Sequence, residues 1–389
     1  MVRPGRSRVR RGRRGRRPLT AKLWRDIRRQ KPQFIAVAVT VFLGVTIFAA
    51  SYDSYQNLTA SYETTFTEFR FANLTMQGGD VETFAAEASG RLGVELAEVR
   101  TVADLPFEVD GTKFLGRVIG NSETHRVNLT RPAAGATGPG RLRVEEHMAD
   151  HFGLEPGSRV AVAGTELPVG AVVTSPEYIW PARSRQEPFV TGDNFGVVFV
   201  DEGLARELAG TGPNEAVVYF TGGAEDESLS DDLTARAREL GASAVFDRDH
   251  QPSNEALQED LKGFEEMALF FPLLFLGAAG MAAYVMISRL VWAQRPQIGV
   301  MLANGMRKRS VLRHYLGYGL VPGLVGAIPG VVAGVLLERV ITRLYTGILA
   351  IPVTLIEFYP TTLVAGVMFG LVAAGLAALA PALFAARVQ

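Results

Sequence analysis

Cysteine is absent from all 389 residues, so thiol nucleophiles, disulfides and cysteine-ligated metals are excluded. An external domain of such a chain must hold together by packing alone. No Gly-x-x-x-x-Gly-Lys-Ser/Thr loop occurs either, which removes the P-loop way of binding a nucleotide. Charge is missing in blocks as well. Residues 33–52, 267–288, 314–337 and 358–386 contain no Asp, Glu, Lys or Arg. Each is long enough to cross about 30 Å of hydrocarbon as a helix rising ~1.5 Å per residue. Two readings compete with four spans: buried helices of a soluble protein, and a cleaved signal peptide over 33–50. The first leaves the sidedness of the charges unexplained; the second needs a shorter apolar segment and a shorter basic lead.

What charge there is falls on two sides. Residues 1–32 carry 14 Arg and Lys against the single acid Asp26, and 289–313 carry six basic residues and no acid. Residues 53–266 hold 37 acids against 17 basic residues. Basic residues next to spans are retained in the cytoplasm. The expectation is an α-helical membrane protein of one plus three transmembrane helices with a large inserted α+β extracytoplasmic domain, sitting in the cell membrane. Its parts are a basic cytoplasmic segment 1–32, spans 33–52, 267–288, 314–337 and 358–386, the external domain 53–266, a cytoplasmic loop 289–313, an external interfacial loop 338–357 and a cytoplasmic end 387–389. The arginine-rich residues 1–17 read as a disordered tail meeting anionic lipid rather than nucleic acid. In the 338–357 loop, Glu338 is expected to pair with Arg339 or Arg343 near the headgroups.

The external domain has room for a core of its own, in one or two lobes. Leu58, Tyr62, Thr65, Phe66 and Phe69 at its entry, and Leu257, Leu261 and Phe264 at its exit, recur at helical spacing and predict helical stalks. Strands are expected at 114–119, 126–129, 159–163, 171–174, 197–200 and 216–220, and helices at 145–152 and 230–240. Asp110-Gly111 and Pro156-Gly157 are turns. His147 and His151 stand four apart, a spacing that chelates metal, but without His-Glu-x-x-His order a solvated helix face is the better account. The run Glu225-Asp-Glu with Asp231 and Asp232 lacks EF-hand spacing and reads as a loop and helix start. Thr191-Gly-Asp-Asn reads as a turn. Tyr178 and Trp180 are either a contact surface or a satellite core. No nucleophile–base–acid set emerges, and no enzyme activity, cofactor or metal site is expected.

The loop 289–313 is the most informative segment. Ile298, Met301 and Leu302 would form the apolar face of a short helix, Gly305 would end it, and Arg307, Lys308 and Arg309 would meet headgroups or an acidic partner. The stretch Arg295-Pro-Gln-Ile-Gly-Val-Met-Leu-Ala-Asn-Gly resembles the loop Arg-Arg-x-Glu-Ile-Gly-x-Leu-Arg-Ala-Leu-Gly of the FtsX/MacB-like ABC transporter permease family. Ile298, Gly299, Ala303 and Gly305 match it. Gln297 replaces the usual Glu, which removes a charge-assisted hydrogen bond, and Met301 and Leu302 stand where Leu-Arg is common. Leu23-Trp-Arg-Asp-Ile-Arg-Arg-Gln-Lys, the glycine-rich third span and Arg143 through Val160 extend the likeness from about residue 19 onward.

The resemblance implies that Arg295, Gln297, Ile298, Gly299, Met301, Leu302, Gly305 and Arg307 form a coupling helix that docks on a separate ABC ATPase, which binds the ATP and Mg. It implies a permease subunit whose external domain moves with ATP hydrolysis, exporting or extracting a lipid, lipoprotein or hydrophobic compound. The alternative is an FtsX-like mechanotransmission subunit that regulates a cell-wall hydrolase or sensor without transporting anything. A third reading, a membrane-anchored external enzyme, requires fewer spans than the chain has. In the third span, Gly326, Gly330 and Gly334 recur every four residues and predict close helix packing, within the chain or across a dimer. Four spans per chain suggest that the protein pairs with itself or with a homologue, as a half-size subunit. Membrane lipids and an external protein complete the expected partners, and nucleic acid is not among them.

Overall fold

A computed structural model describes residues 17–184, 187 and 194–387. The arginine-rich residues up to 16 and most of the Thr191-Gly-Asp-Asn turn lie outside the described residues. The chain divides into a helical unit, comprising the residues up to Ser54, Phe264–Val340 and the residues from Phe358 onward, and a β-rich unit, Tyr55–Gly263 with Ile341–Glu357.

Helix α1 (Arg17–Arg29) is followed, after Gln30, by α2 (Lys31–Glu68), which runs through the first charge-free block and well past it. The β-rich unit then contributes β1 (Leu74–Gln77), α3 (Val81–Ser89), β2 (Val94–Arg100), β3 (Val102–Val109), β4 (Thr112–Asn121), β5 (Arg131–Thr137), β6 (Leu142–Glu145) and α4 (Glu146–Phe152). It continues with β7 (Arg159–Val162), β8 (Thr165–Thr174), β9 (Phe195–Asp201), α5 (Glu202–Ala209), β10 (Glu215–Phe220), α6 (Glu227–Glu239) and β11 (Ala244–Asp247). The chain returns through α7 (Pro252–Ala293), α8 (Arg295–Ala303), α9 (Lys308–Ile348) and α10 (Pro360–Ala386). Helices α2, α7, α9 and α10 are each long and apolar enough to cross a bilayer, one before the β-rich unit and three after it. The chain is a multi-pass membrane protein with a large extracytoplasmic α+β domain.

Two sheets build that domain. The first is antiparallel in the order β11-β1-β10-β2. With α3 between β1 and β2 and α6 between β10 and β11, it is a split βαβ arrangement of the ferredoxin-like kind. Alternation along β10 explains its complete burial. Ala216, Val218 and Phe220 pack under Phe84 and Leu233 of the two helices, while Val217 and Tyr219 join Leu96 and Val127 on the opposite face. The second lobe, residues 102–209, is inserted between β2 and β10. Its sheet runs β5-β8-β6-β9-β4-β3-β7, and β7 also pairs with β8, so six strands close on themselves around Phe107, Val144, Val160, Val198 and Met148. The β3–β4 hairpin turns at Asp110 and Gly111, both at positive φ (48° and 82°), as a type I′ turn requires.

Several expectations change. Residues 126–129 are not a strand: Asn128 sits at φ 52° and accepts the Ala72 amide on Oδ1, and the Arg126 amide donates to Glu98. Residues 338–348 do not begin a loop, because α9 stays helical to Ile348; only the stretch from there to Tyr359 is irregular. Glu338 is buried in α9 rather than lying in a headgroup-level turn. Tyr178 packs edge-on against Phe199 in the core, and the partly buried Trp180 packs on the satellite cluster that includes Tyr62, Ile179 and Leu261, so the satellite-core reading holds for both. His151 and Asp150 are exposed as a solvated face requires, but His147 is only partly exposed; its Nδ1 is bonded to Glu145 at 2.7 Å, with Glu145 also capping α4 through the His147 amide. Asp226 caps α6 by accepting the Leu229 amide, the helix-start role expected of that acidic run.

Candidate functional site

The loop between the second and third spans is built from α8. Helix α7 ends at Ala293, Pro296 occupies the first turn of α8 where a missing N–H costs nothing, and Asn304 closes the helix. Gly305, at φ 82°, then supplies the left-handed step that lets Met306 return its amide to the Met301 carbonyl before α9 begins. A residue with a Cβ is strained there, so Gly305 sets where the two helices part.

The nominated residues do not share one face. Ile298 is fully enclosed, and Met301, Leu302 and Met306 pack against the same apolar cluster, which includes Ile287, Val291 and Val311. Pro296, Gln297, Val300, Ala303 and Asn304 face outward, joined by the exposed Arg307, Lys308 and Arg309. Gly299 has open space where a Cβ would sit. Arg295 is engaged within the chain: its guanidinium lies 4.1 Å from the Trp292 ring and 5.6 Å from that of Phe384, at the ends of α7 and α10. The arrangement is a short rigid projection with an apolar root and a polar, basic outer surface.

Beneath it is a polar cluster that the sequence reading missed. Gln294, the residue before α8, uses none of its side chain to cap that helix. Its Oε1 accepts from Lys22 and, at 2.8 Å, from Tyr315 OH, while its Nε2 donates to Asp26 Oδ2 at 3.1 Å. Asp26 Oδ2 also accepts from Lys22 Nζ at 3.0 Å and from Tyr318 OH at 2.7 Å, and His314 Nε2 lies 3.3 Å from the same hydroxyl. Burial works against ionising Asp26, but the hydrogen bonds from Tyr318, Lys22 and Gln294 and the Lys22 charge outweigh it, holding the carboxyl below the usual range. Thus α1, the start of α8 and the start of α9 are tied at one carboxylate. The available signal was that Asp26 is the lone acid in a basic segment, on the same helical face as Lys22.

The glycine row has a definite partner. A Cβ at Gly330 would meet the Phe42 carbonyl at 2.9 Å, one at Gly334 would meet Ala49, and one at Gly326 would collide with the Ala38 carbonyl. Gly326, Gly330 and Gly334 therefore face α2 of the same chain, and Thr46 Oγ1 donates to the Gly330 carbonyl at 3.1 Å. This face of the third span is filled within the chain rather than left for a second copy. Contact with α10 uses other positions: Gly319 and Gly323 receive Ala374 and Ala378, from a row of small buried residues (Gly366, Gly370, Ala374, Ala378, Ala382) spaced by four. Among the described residues no group of three or more His, Asp and Glu is placed to hold a metal.

Residues 269–389 match the family described as FtsX-like permease C-terminal. Among solved structures, the chain is similar to the periplasmic region of MacB from Actinobacillus actinomycetemcomitans, at 10% identity over 49% of this chain and 91% of that one, with a TM-score of 0.30. It is also similar to the extracellular domain of the noncanonic ABC-type transporter YknZ from Gram-positive bacteria, at 13% identity over 43% of this chain and 91% of that one, with a TM-score of 0.28. No curated protein matches the chain.

Proposed function

We propose that this chain is the permease subunit of an ABC-type complex, in which a separate cytoplasmic ATPase binds and hydrolyses ATP and drives motion of the extracytoplasmic domain. The observation that carries this reading is the form of α8, rooted by Ile298 and presenting Gln297, Val300, Asn304 and Arg307–Arg309 outward. It lies inside the segment that matches the FtsX-like permease C-terminal family. The basic residues of 289–313 and of the N-terminal segment support a cytoplasmic location for α8 and both termini. With Gln297 in place of an acid, recognition rests on shape, Val300 and the basic residues that follow. A second permease, identical or homologous, completes the assembly, and the work done is export or extraction of a lipid, lipoprotein or other hydrophobic compound.

The same chain also suits a cargo-free version, force transmission to an external hydrolase or sensor, with which the helix lengths are equally compatible. Helices α2, α7 and α9 have 38, 42 and 41 residues, about twice what a bilayer crossing needs. Such helices carry displacement whether or not a substrate moves.

Affinity purification of the full chain from its native membranes tests the proposal. An ATP-binding subunit should be recovered with it, and Val300→Asp, a change at an exposed position, should abolish that recovery while leaving the chain folded. Recovery of a hydrolase or sensor with that ATPase supports force transmission. A single cysteine at Val300 that reacts with impermeant maleimide from outside intact cells would overturn both versions.

A further inference from the structure

Helix α1 has two faces with different chemistry. The inner face carries Leu23 and Ile27, which pack on the bundle core, and Asp26 and Lys22, which hold Gln294. Leu23 reaches α9 at Gly317, where a Cβ would lie 3.3 Å from its Cδ2. The outer face carries Ala21, Trp24, Arg25, Arg28 and Arg29, all exposed, with Trp24 at 55%. No acid lies on that outer face, since the single acid of the segment is turned inward.

Position narrows what covers this face. Only Gln30 separates α1 from α2, whose charge-free block begins at residue 33, so α1 is tethered within a few residues of the hydrocarbon edge. A short helix with an indole and three guanidinium groups on one side has the composition of an interfacial helix: the ring settles at headgroup depth and the arginines meet phosphates. The sequence ahead of it is itself rich in arginine.

We infer that α1 is a lipid-held brace for α8: its Trp24–Arg25–Arg28–Arg29 face binds acidic headgroups of the adjacent leaflet, and Asp26 on its inner face positions Gln294 at the root of α8. Surface charge of the membrane thereby sets how firmly the projection is held. The inference rests on the coupling reading of α8 for its consequence, but the lipid dependence stands apart from any ATPase. Asp26 and Gln294 are positioning residues, acting on the docking surface through the start of α8.

Because the chain has no native thiol, two cysteines, Ala21→Cys and Val300→Cys, suffice for spin labels in the full chain. The probes are nanodiscs of phosphatidylcholine alone and of phosphatidylcholine with phosphatidylglycerol. The expected result is a narrow distance distribution with phosphatidylglycerol and a broad one without. Arg25→Gln, Arg28→Gln and Arg29→Gln together should broaden it in both, and phosphatidylglycerol retained on the purified chain should fall roughly fivefold per arginine. Asp26→Asn should keep lipid retention yet broaden the distribution in both lipids. Equal widths in the two lipids, as expected if the face serves a protein partner instead, overturn the inference. So does lipid-dependent narrowing that survives Asp26→Asn. No ATPase is present, so either failure leaves the proposed function untouched, and a chain that recovers no ATPase leaves the lipid result standing.

Discussion

In the β-rich unit a full positive charge is enclosed: Arg100 on β2 donates to Glu215 on β10 and to both oxygens of Glu177 beyond β8, with the three side chains 8%, 5% and 6% exposed. In the helical unit the seam between α2 and α9 is closed by the reverse device, almost no side chain at Gly326, Gly330 and Gly334. A water-facing domain can draw on the hydrophobic effect and can tolerate a buried ionic cluster that ties its first sheet to the segment after β8. Helices in lipid gain nothing from leaving apolar tails for one another, so close backbone approach and a bond such as Thr46 to Gly330 must do the joining. The difference shows that one chain specifies its two halves by different interactions.

The largest expected effect breaks the ionic side of that contrast. Arg100→Met leaves two carboxylates buried without their cation and should cost about 3–5 kcal/mol, read from chemical unfolding of the full chain in detergent. Adding Glu177→Gln and Glu215→Gln should restore most of the loss; no restoration would mean that packing rather than charge is what Arg100 supplies. Next in size, Gly326→Val drives a branched side chain into the α2 backbone and should cost about 1–3 kcal/mol. Gly299→Ala, facing open space in α8, should be neutral or gain up to about 1 kcal/mol. Equal effects at the two glycines would dissolve the seam.

The smallest effect is a pH dependence within the β-rich unit. Burial alone would lower the His147 pKa, but the charge and hydrogen bond of Glu145 raise it above its ordinary 6.5. A raised folded-state value means that protonation stabilises the fold. The contribution is complete below about pH 6.5 and is lost as pH rises through the higher folded value. Thermal unfolding of the full chain should show that decline, and His147→Gln should remove it.

The membrane helices were legible because a run of twenty or more residues without charge is rare outside a bilayer. Within the second lobe, 114–119, 159–163, 171–174 and 197–200 were legible as strands because β-branched and aromatic residues concentrate there, as they do at 216–220 in the first sheet. β5 was not: Arg131-Pro-Ala-Ala-Gly-Ala-Thr has little β-propensity, and its pairing with β8 is irregular. β3 was masked by Pro106 and by acids at 104 and 108, which alternate with Leu105, Phe107 and Val109. Residues 126–129 looked like a strand because Val127 is apolar, but the left-handed Asn128 breaks the run. At the candidate site, the apolar root of α8 was readable from helical spacing. The Asp26 cluster joins residues almost three hundred positions apart, and no local pattern announces such a meeting.

Helix α2 has 38 residues and no proline beyond its first turn. At ~1.5 Å per residue it is a strut of about 57 Å, so each degree of tilt about one end carries the other by about 1 Å. A tilt of about three degrees at its foot would thus displace its far tip by roughly the width of an atom.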